Sequence, residues 1–192
     1  MNFRKGNALL QALDIPLLAH SVQFPIRNQD PANVDSTVEA FKWENILDEN
    51  GQKIVLLEEQ QRQRYLKYVE DNISDVFLTE KLCVVAVEKD NNILSVALPG
   101  YGIELVGSTD LLIMSDLVKE FPQYMNRLTG VRMLIEVKSD AKTKDAVYQA
   151  LSELTALGIL ANDLVVAMVT NLTDYWELFW FSNKSGGRIK IK

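Results

Sequence analysis

Residues 107–115 read GSTDLLIMS, and residues 131–138 read VRMLIEVK. Both are apolar runs typical of strands, and each has charged residues at one end. Because successive side chains of a strand point to opposite faces, Glu136 and Lys138 share a face and Val137 points to the other. If the two strands are neighbours, Asp110 joins Glu136 and Lys138. The sequence therefore predicts two carboxylates and an ammonium at one edge of a sheet.

The rest of the chain predicts an α/β fold. Apolar residues at three- and four-residue spacings predict a helix from Ile54 to Phe77. Extended segments are predicted at 82–88, 93–98, 103–114, 131–137, 164–170 and 175–181. A second helix is predicted to begin at Asp140 or Thr143 and to run to about Leu157, where Gly158 ends it. This order favours a central mixed sheet flanked by helices.

Length and charge limit the classes of protein to consider. The chain has 192 residues, of which 47% are hydrophobic, and its formal net charge is −6. We expect residues 1–50 to form an N-terminal extension and residues 51–192 to form one domain. The acidic balance disfavours a broadly electropositive DNA-coating surface, without excluding a nucleic-acid partner. No apolar run approaches the roughly 20 residues that span a bilayer, so no membrane partner is expected.

Single residues exclude some kinds of site. Cys83 is the only cysteine and His20 the only histidine, so a cysteine-rich zinc site and multi-histidine nuclease motifs are excluded. Cys83 lies in an apolar run and is interpreted as a buried small hydrophobic residue. His20 is interpreted as an interface or core residue of an N-terminal helix.

The predicted cluster suits a divalent cation. Mg²⁺ prefers oxygen ligands and keeps several waters, so Asp110 and Glu136, with the backbone carbonyl of Val137, are candidate ligands for Mg²⁺ or Mn²⁺. Lys138 would orient the attacking water, and Gln149 on the next helix would hydrogen-bond the nucleophile or a phosphate. The alternative interpretation is an ion-pairing strand surface, with Asp110 as a turn or strand-edge residue.

These motifs resemble the PD-(D/E)xK nuclease superfamily. GSTD at 107–110 matches its acidic motif, IEVK at 135–138 matches its (D/E)-x-K strand, and YQALSEL at 148–154 resembles its Gln-bearing helix. The resemblance covers residues 51–181 and implies a restriction-endonuclease-like core of helix, three strands, helix and strand. It also implies a carboxylate from the first helix, for which Glu58 is the first choice and Glu59 the second.

The resemblance implies a Mg²⁺-dependent endonuclease that hydrolyses phosphodiester bonds of nucleic acid, and DNA is the expected substrate. Within the superfamily, LIEVKSD at 134–140 and VTNLTDYWELFWF at 169–181 are similar to C-terminal domains of Crinkler-type effectors of oomycetes. That similarity implies action in the host nucleus; without it, the expectation is an intracellular protein.

Two other functions stay open at this point. One is a catalytically silent relative that binds a protein of the host or a nucleic acid, suggested by the pI of 4.9 and by the aromatic residues Tyr175, Trp176 and Trp180. The other is an assembly subunit in which residues 1–50 pack against a second copy, giving a homodimer.

Overall fold

The structure is a computed structural model that describes residues 3–15, 39–47, 49–87, 92–98, 100–184 and 188–191. The interpretation of His20 concerns a residue outside these ranges.

The described residues form four α-helices and ten strands. The helices are α1 (Phe3–Ala12), α2 (Arg62–Glu80), α3 (Gln123–Asn126) and α4 (Lys144–Leu160). The strands are β1 (Asn45–Leu47), β2 (Lys53–Val55), β3 (Leu82–Ala86), β4 (Val96–Leu98), β5 (Ile103–Leu105), β6 (Leu111–Ser115), β7 (Val131–Val137), β8 (Val166–Thr170), β9 (Trp176–Lys184) and β10 (Arg188–Ile191). Short 3₁₀ helices at Glu58–Gln61 and Asp116–Lys119 precede α2 and α3.

One central sheet organises the molecule, with strand order β10-β9-β8-β7-β6-β3. Strands β7 and β8 are parallel, and the other neighbouring pairs are antiparallel. Two small antiparallel pairs, β1 with β2 and β4 with β5, lie apart from this sheet. The sheet is thus mixed, and the predicted α/β architecture of a mixed sheet with flanking helices is confirmed.

Alternate residues of the central strands enter two separate cores. Leu112 and Leu134 belong to the core that contains Leu154 of α4. Their chain neighbours Leu111 and Ile135 belong to the core that contains Tyr65 and Val69 of α2. These strands are apolar on both faces because helices cover both faces. The charged residues lie where β6 begins and β7 ends, between helices α2 and α4.

The predicted helix from Ile54 was wrong in its first part. Residues 53–55 form strand β2, which pairs with β1, and α2 begins only at Arg62. The buried Gln61 side chain accepts a hydrogen bond from the Glu44 amide at 2.8 Å and donates to the Leu56 carbonyl at 3.1 Å. These bonds stabilise the β1–β2 hairpin, and helical periodicity carries no information about them.

Two other predicted boundaries were wrong. Residues 103–114 are not one extended segment, because β5 ends at Leu105 and β6 begins at Leu111. Helix α4 does not end at Gly158 but continues to Leu160. A Cβ at Gly158 would lie 2.8 Å from the Phe181 ring, so this glycine permits close contact between α4 and β9.

The division at residue 50 stays a prediction. In the described part of residues 1–50, Phe41 is buried in the core beside α2, and Gly6 of α1 packs directly on Tyr148 of α4. Cys83 is buried, as expected. No described helix has the length and apolar character to cross a bilayer.

Candidate active site

The pairing of β6 with β7 brings the two acidic residues face to face. Leu111 pairs with Ile135 in antiparallel register, so Asp110 lies opposite Glu136, one residue further along each strand. The Val137 amide donates to Asp110 Oδ2 at 2.9 Å, and Thr109 Oγ1 donates to the Ile135 carbonyl at 3.2 Å. The two strands are therefore neighbours, which was the condition for the predicted cluster, and the strand backbone itself holds the Asp110 carboxylate.

The Lys138 ammonium lies among three carboxylates. Its Nζ is 2.5 Å from Glu136 Oε1, 3.6 Å from Asp110 Oδ2 and 3.7 Å from Glu58 Oε2. The Lys138 side chain is 22% exposed, whereas that of Glu136 is 1% exposed. The ammonium therefore compensates carboxylates that water hardly reaches.

Glu58 reaches the cluster from the 3₁₀ helix that precedes α2. Its Oε1 accepts hydrogen bonds from the Ser139 amide at 2.7 Å and from Ser139 Oγ at 3.1 Å. This contact ties the segment after β7 to the start of α2. Glu59, the second choice from the sequence, is solvent-exposed.

Gln149 joins the cluster from α4. Its Nε2 donates to Glu136 Oε1 at 2.5 Å and to Glu153 Oε1 at 3.0 Å. The structure thus brings together all five predicted catalytic side chains: Glu58, Asp110, Glu136, Lys138 and Gln149. Their catalytic roles stay predictions.

Val137, the sixth predicted site residue, contributes differently. Its side chain points into the α2-side core, as the strand alternation predicted, and its amide is the group that binds Asp110. The backbone carbonyl remains the predicted ligand atom.

Burial dominates the electrostatics of this cluster. Burial and the Asp110 charge raise the pKa of Glu136 to about 7. Burial also raises the pKa of Asp110, against the opposing effects of Lys138 and the Val137 amide. For Lys138, burial alone would lower the pKa, but the Glu136 and Asp110 charges outweigh it and the pKa lies above its ordinary value. Lys138 therefore carries its charge at neutral pH.

Sequence reasoning missed Glu153. This residue is 6% exposed, and burial together with the Glu136 charge raises the pKa of its carboxyl well above the usual range. A signal was present, because Glu153 follows Gln149 by four residues and the two therefore share a helix face. That face belongs to an otherwise apolar helix surface, where polar residues are exceptions that call for a partner.

A further pair missed as site residues lies behind Asp110 on α2. The Arg62 guanidinium donates to the Val87 carbonyl at 3.1 Å, and the Tyr65 hydroxyl is fully buried. Burial and the Asp110 charge raise the pKa of Tyr65. Arg62 opposes the rise in the pKa of Asp110 and so supplies a second positive charge on that side of the carboxylate.

The donor set fits a hard divalent cation in chemistry. Glu136 Oε2 is buried and receives no hydrogen bond from an N–H donor, so no such donor occupies this oxygen. Carboxylate and carbonyl oxygens from Asp110, Glu136 and Val137 match the preference of Mg²⁺. Within the part of the chain that the structure describes, no three His, Cys, Asp or Glu side chains already form a metal-binding group. A cation at Asp110 and Glu136 would therefore require the Lys138 ammonium to shift.

The chain is similar in sequence to several curated proteins. The chain is 46% identical over 187 residues to Crinkler effector protein 63 and 48% identical over 185 residues to Crinkler effector protein 161, both of Phytophthora sojae (strain P6497). It is 45% identical over 193 residues to Crinkler effector protein 2 of Phytophthora infestans. No protein-family model and no solved structure matches the chain.

These alignments differ in how much of each protein they cover. They include 96–100% of this chain but only 39–40% of each of these curated relatives. The predicted Crinkler-type resemblance is confirmed. Over nearly its whole length, this chain is similar to one part of the Crinkler effector proteins of Phytophthora.

Proposed function

We propose that this chain is a Mg²⁺- or Mn²⁺-dependent endonuclease with a restriction-endonuclease-like PD-(D/E)xK core. It would hydrolyse phosphodiester bonds of nucleic acid, and DNA is the first substrate to test. One observation carries the proposal: the carboxylates of Asp110 and Glu136, from the ends of adjacent strands, both lie within 3.6 Å of Lys138 Nζ.

Burial argues against an ordinary surface ion pair. Exposed pairs contribute about 0–1 kcal/mol and lie in water, where nothing requires a fixed geometry. Here Asp110 and Glu136 are 6% and 1% exposed, and taking two like charges out of water is costly. Groups that are held at such a cost, with shifted pKa values and at a strand end, are typical of functional sites.

The three proposed cation ligands are Asp110, Glu136 and the Val137 carbonyl. A cation bound there would polarise a phosphoryl oxygen and lower the pKa of a bound water. Lys138, which keeps its charge, would orient the attacking water and offset negative charge that develops on the phosphate. Glu58 would hold Lys138 and the Ser139 segment in place through its contacts with both.

A plasmid-cleavage assay tests the proposal. Wild-type protein should nick or linearise plasmid with Mg²⁺ or Mn²⁺, and EDTA should abolish cleavage. Asp110→Asn and Lys138→Ala should each abolish it too, whereas Asp174→Asn should not. Asp174 is a suitable control because it pairs with Lys142 at 3.2 Å on the surface, outside the cluster. Cleavage that survives both Asp110→Asn and Lys138→Ala would reject the assignment.

A second candidate is a catalytically silent module that binds a protein or a nucleic acid. The observation that favours it is the Lys138 ammonium itself, which already compensates the carboxylates that a cation would need. Calorimetric titration with Mn²⁺ discriminates between the two. No heat with the wild type, and no difference in Asp110→Asn, would favour the silent module.

A further inference from the structure

The amide of Gln149 is oriented by two carboxylates at once. Its single nitrogen, Nε2, lies 2.5 Å from Glu136 Oε1 and 3.0 Å from Glu153 Oε1. A primary amide has two N–H donors on nitrogen and all its acceptor capacity on oxygen. Both donors of Gln149 are therefore directed at carboxylate oxygens, and its carbonyl oxygen points away from them.

Turning the amide over would be costly. Reversal would direct the carbonyl oxygen at both acidic side chains, so Glu153 Oε1 would lose its donor in a buried site and Glu136 would keep only Lys138. Glu136 on its own does not determine this orientation, because Lys138 also donates to it. Glu153 is different: its Oε1 receives the second N–H of the amide, so it fixes which end of Gln149 faces outward.

Gln149 lines a small cavity. Gly107, Ser108, Ser152 and Glu153 also line it, and it lies next to the turn that leads into Asp110. Its volume of about 100 Å³ is enough to admit water.

We propose that Glu153 is a positioning residue that fixes Gln149 with its carbonyl oxygen toward this cavity, where it accepts a hydrogen bond from the attacking water. This inference rests on the proposed nuclease function. It also decides between the two roles that the sequence allowed for Gln149. A phosphate oxygen only accepts hydrogen bonds, so an amide whose donors are both occupied cannot bind it, whereas water can donate.

Four variants of the 192-residue chain test the proposal. Glu153→Met removes the acceptor with little change in length, and Glu153→Gln restores an acceptor oxygen for Gln149. Gln149→Met removes the amide. Thr155→Val is the matched control: it replaces another buried polar side chain of α4, whose Oγ1 bonds to its own helix at Leu151.

The kinetic readout separates positioning from binding. Glu153→Met should lower kcat by roughly 10- to 100-fold and leave KM within about 3-fold of wild type, because a misplaced nucleophile slows the chemical step and leaves substrate binding intact. In the Thr155→Val control, both kcat and KM should stay within about 3-fold of wild type. Glu153→Gln should recover most of kcat. The double variant Glu153→Met/Gln149→Met should have the same kcat as Gln149→Met alone, since both substitutions act through the same amide. Full activity of Glu153→Met, or an additional loss in the double variant, would overturn the inference.

A second readout does not need activity. The ¹⁵N–¹H signals of the Gln149 side-chain amide, assigned by their disappearance in Gln149→Met, should shift to solvent-like positions in Glu153→Met and remain in place in Glu153→Gln. Unchanged signals in Glu153→Met would refute the positioning role. If Glu153→Met does not fold, Glu153→Ala takes its place in both readouts. If the wild-type protein does not cleave, the nuclease proposal is rejected. If wild type and Glu153→Met cleave equally fast, the positioning role of Glu153 is rejected and the nuclease proposal is not.

Discussion

Lys138 Nζ lies 2.5 Å from Glu136 Oε1, and this contact holds together the least exposed charged pair of the cluster. Glu136 is the second-last residue of β7, and Lys138 follows two residues later on the same face. An ion pair in this position stabilises a carboxylate whose burial would otherwise favour its protonated form. Each partner therefore has consequences for stability as well as for the proposed chemistry.

Lys138→Met should destabilise the protein most at alkaline pH. Without the ammonium, Asp110 and Glu136 lose their nearest positive charge, and their ionised forms become costly. We expect a loss of about 1–3 kcal/mol in the free energy of unfolding at about pH 8, and less at about pH 5 where the carboxyls can take up protons. Urea unfolding at both pH values measures this. Lys142→Met, which removes an exposed pair, should change stability by less than about 0.5 kcal/mol, and an equal loss in both variants would contradict the account.

Glu136→Gln should abolish cleavage yet stabilise the fold above neutral pH. The pKa of Glu136 is raised to about 7 from 4.5, so the native state binds this proton more tightly than the unfolded state. Its contribution is fully present below about pH 4.5 and is lost as the pH rises through about 7. A neutral amide escapes that loss and can donate to Glu153, whose Oε2 has no partner.

Thermal unfolding at several pH values tests the Glu136→Gln prediction. The gain should be about 1–3 kcal/mol at about pH 8 and near zero at about pH 4. The exposed residue Glu104 of β5 supplies the control, Glu104→Gln, which should show no such pH dependence. If Glu136→Gln is less stable than wild type at about pH 8, the prediction is wrong, and the ion pair of Lys138 with the charged Glu136 stabilises the fold.

Asp110→Asn and Asp110→Ala should differ in stability although both remove the charge. The Asp110 carboxylate accepts a hydrogen bond from the Val137 amide, and the asparagine oxygen can take its place. Alanine leaves that buried N–H without a partner, which costs about 1–3 kcal/mol. Denaturant unfolding of the two variants gives the difference directly. Equal stabilities would mean that the Asp110–Val137 bond contributes nothing to the fold.

Glu58→Gln and Glu59→Gln distinguish the two sequence-based choices for the first-helix carboxylate. Glutamine at 58 can still accept from Ser139 but no longer carries the charge that faces Lys138. We expect cleavage to fall roughly tenfold in Glu58→Gln, which corresponds to about 1.4 kcal/mol of transition-state stabilisation. Glu59→Gln should retain wild-type rates. The reverse order of activities would move the proposed role from Glu58 to Glu59.

The strand part of the site could be predicted from the sequence because two simple rules govern it. The alternation of side chains placed Glu136 and Lys138 on one face, and the apolar runs made Asp110 and Glu136 stand out as exceptions. Pairing of those runs was enough to bring the three charges together. Neither rule needs information from distant parts of the chain.

The rest depended on contacts between distant segments. Gln61 stabilises the β1–β2 hairpin through backbone groups of Glu44 and Leu56, so helical periodicity at 54–61 was misleading. Gly158 was interpreted as a helix stop, although its role is to admit the Phe181 ring. Glu153 shares a helix face with Gln149, but its part in the site depends on the packing of α4 beside Glu136 of β7. In each case the deciding partner lies far away in the sequence.

The most direct test of the account is anomalous scattering from crystals soaked in Mn²⁺. We expect a single strong peak between Asp110 and Glu136, within about 2.0–2.3 Å of a carboxylate oxygen from each. The Lys138 ammonium should be displaced from its present contact with Glu136. Crystals of Asp110→Asn under the same soak should show no peak. A wild-type map without density between the two carboxylates, and with Lys138 still bound to Glu136, would contradict the central claim that this cluster is a cation site.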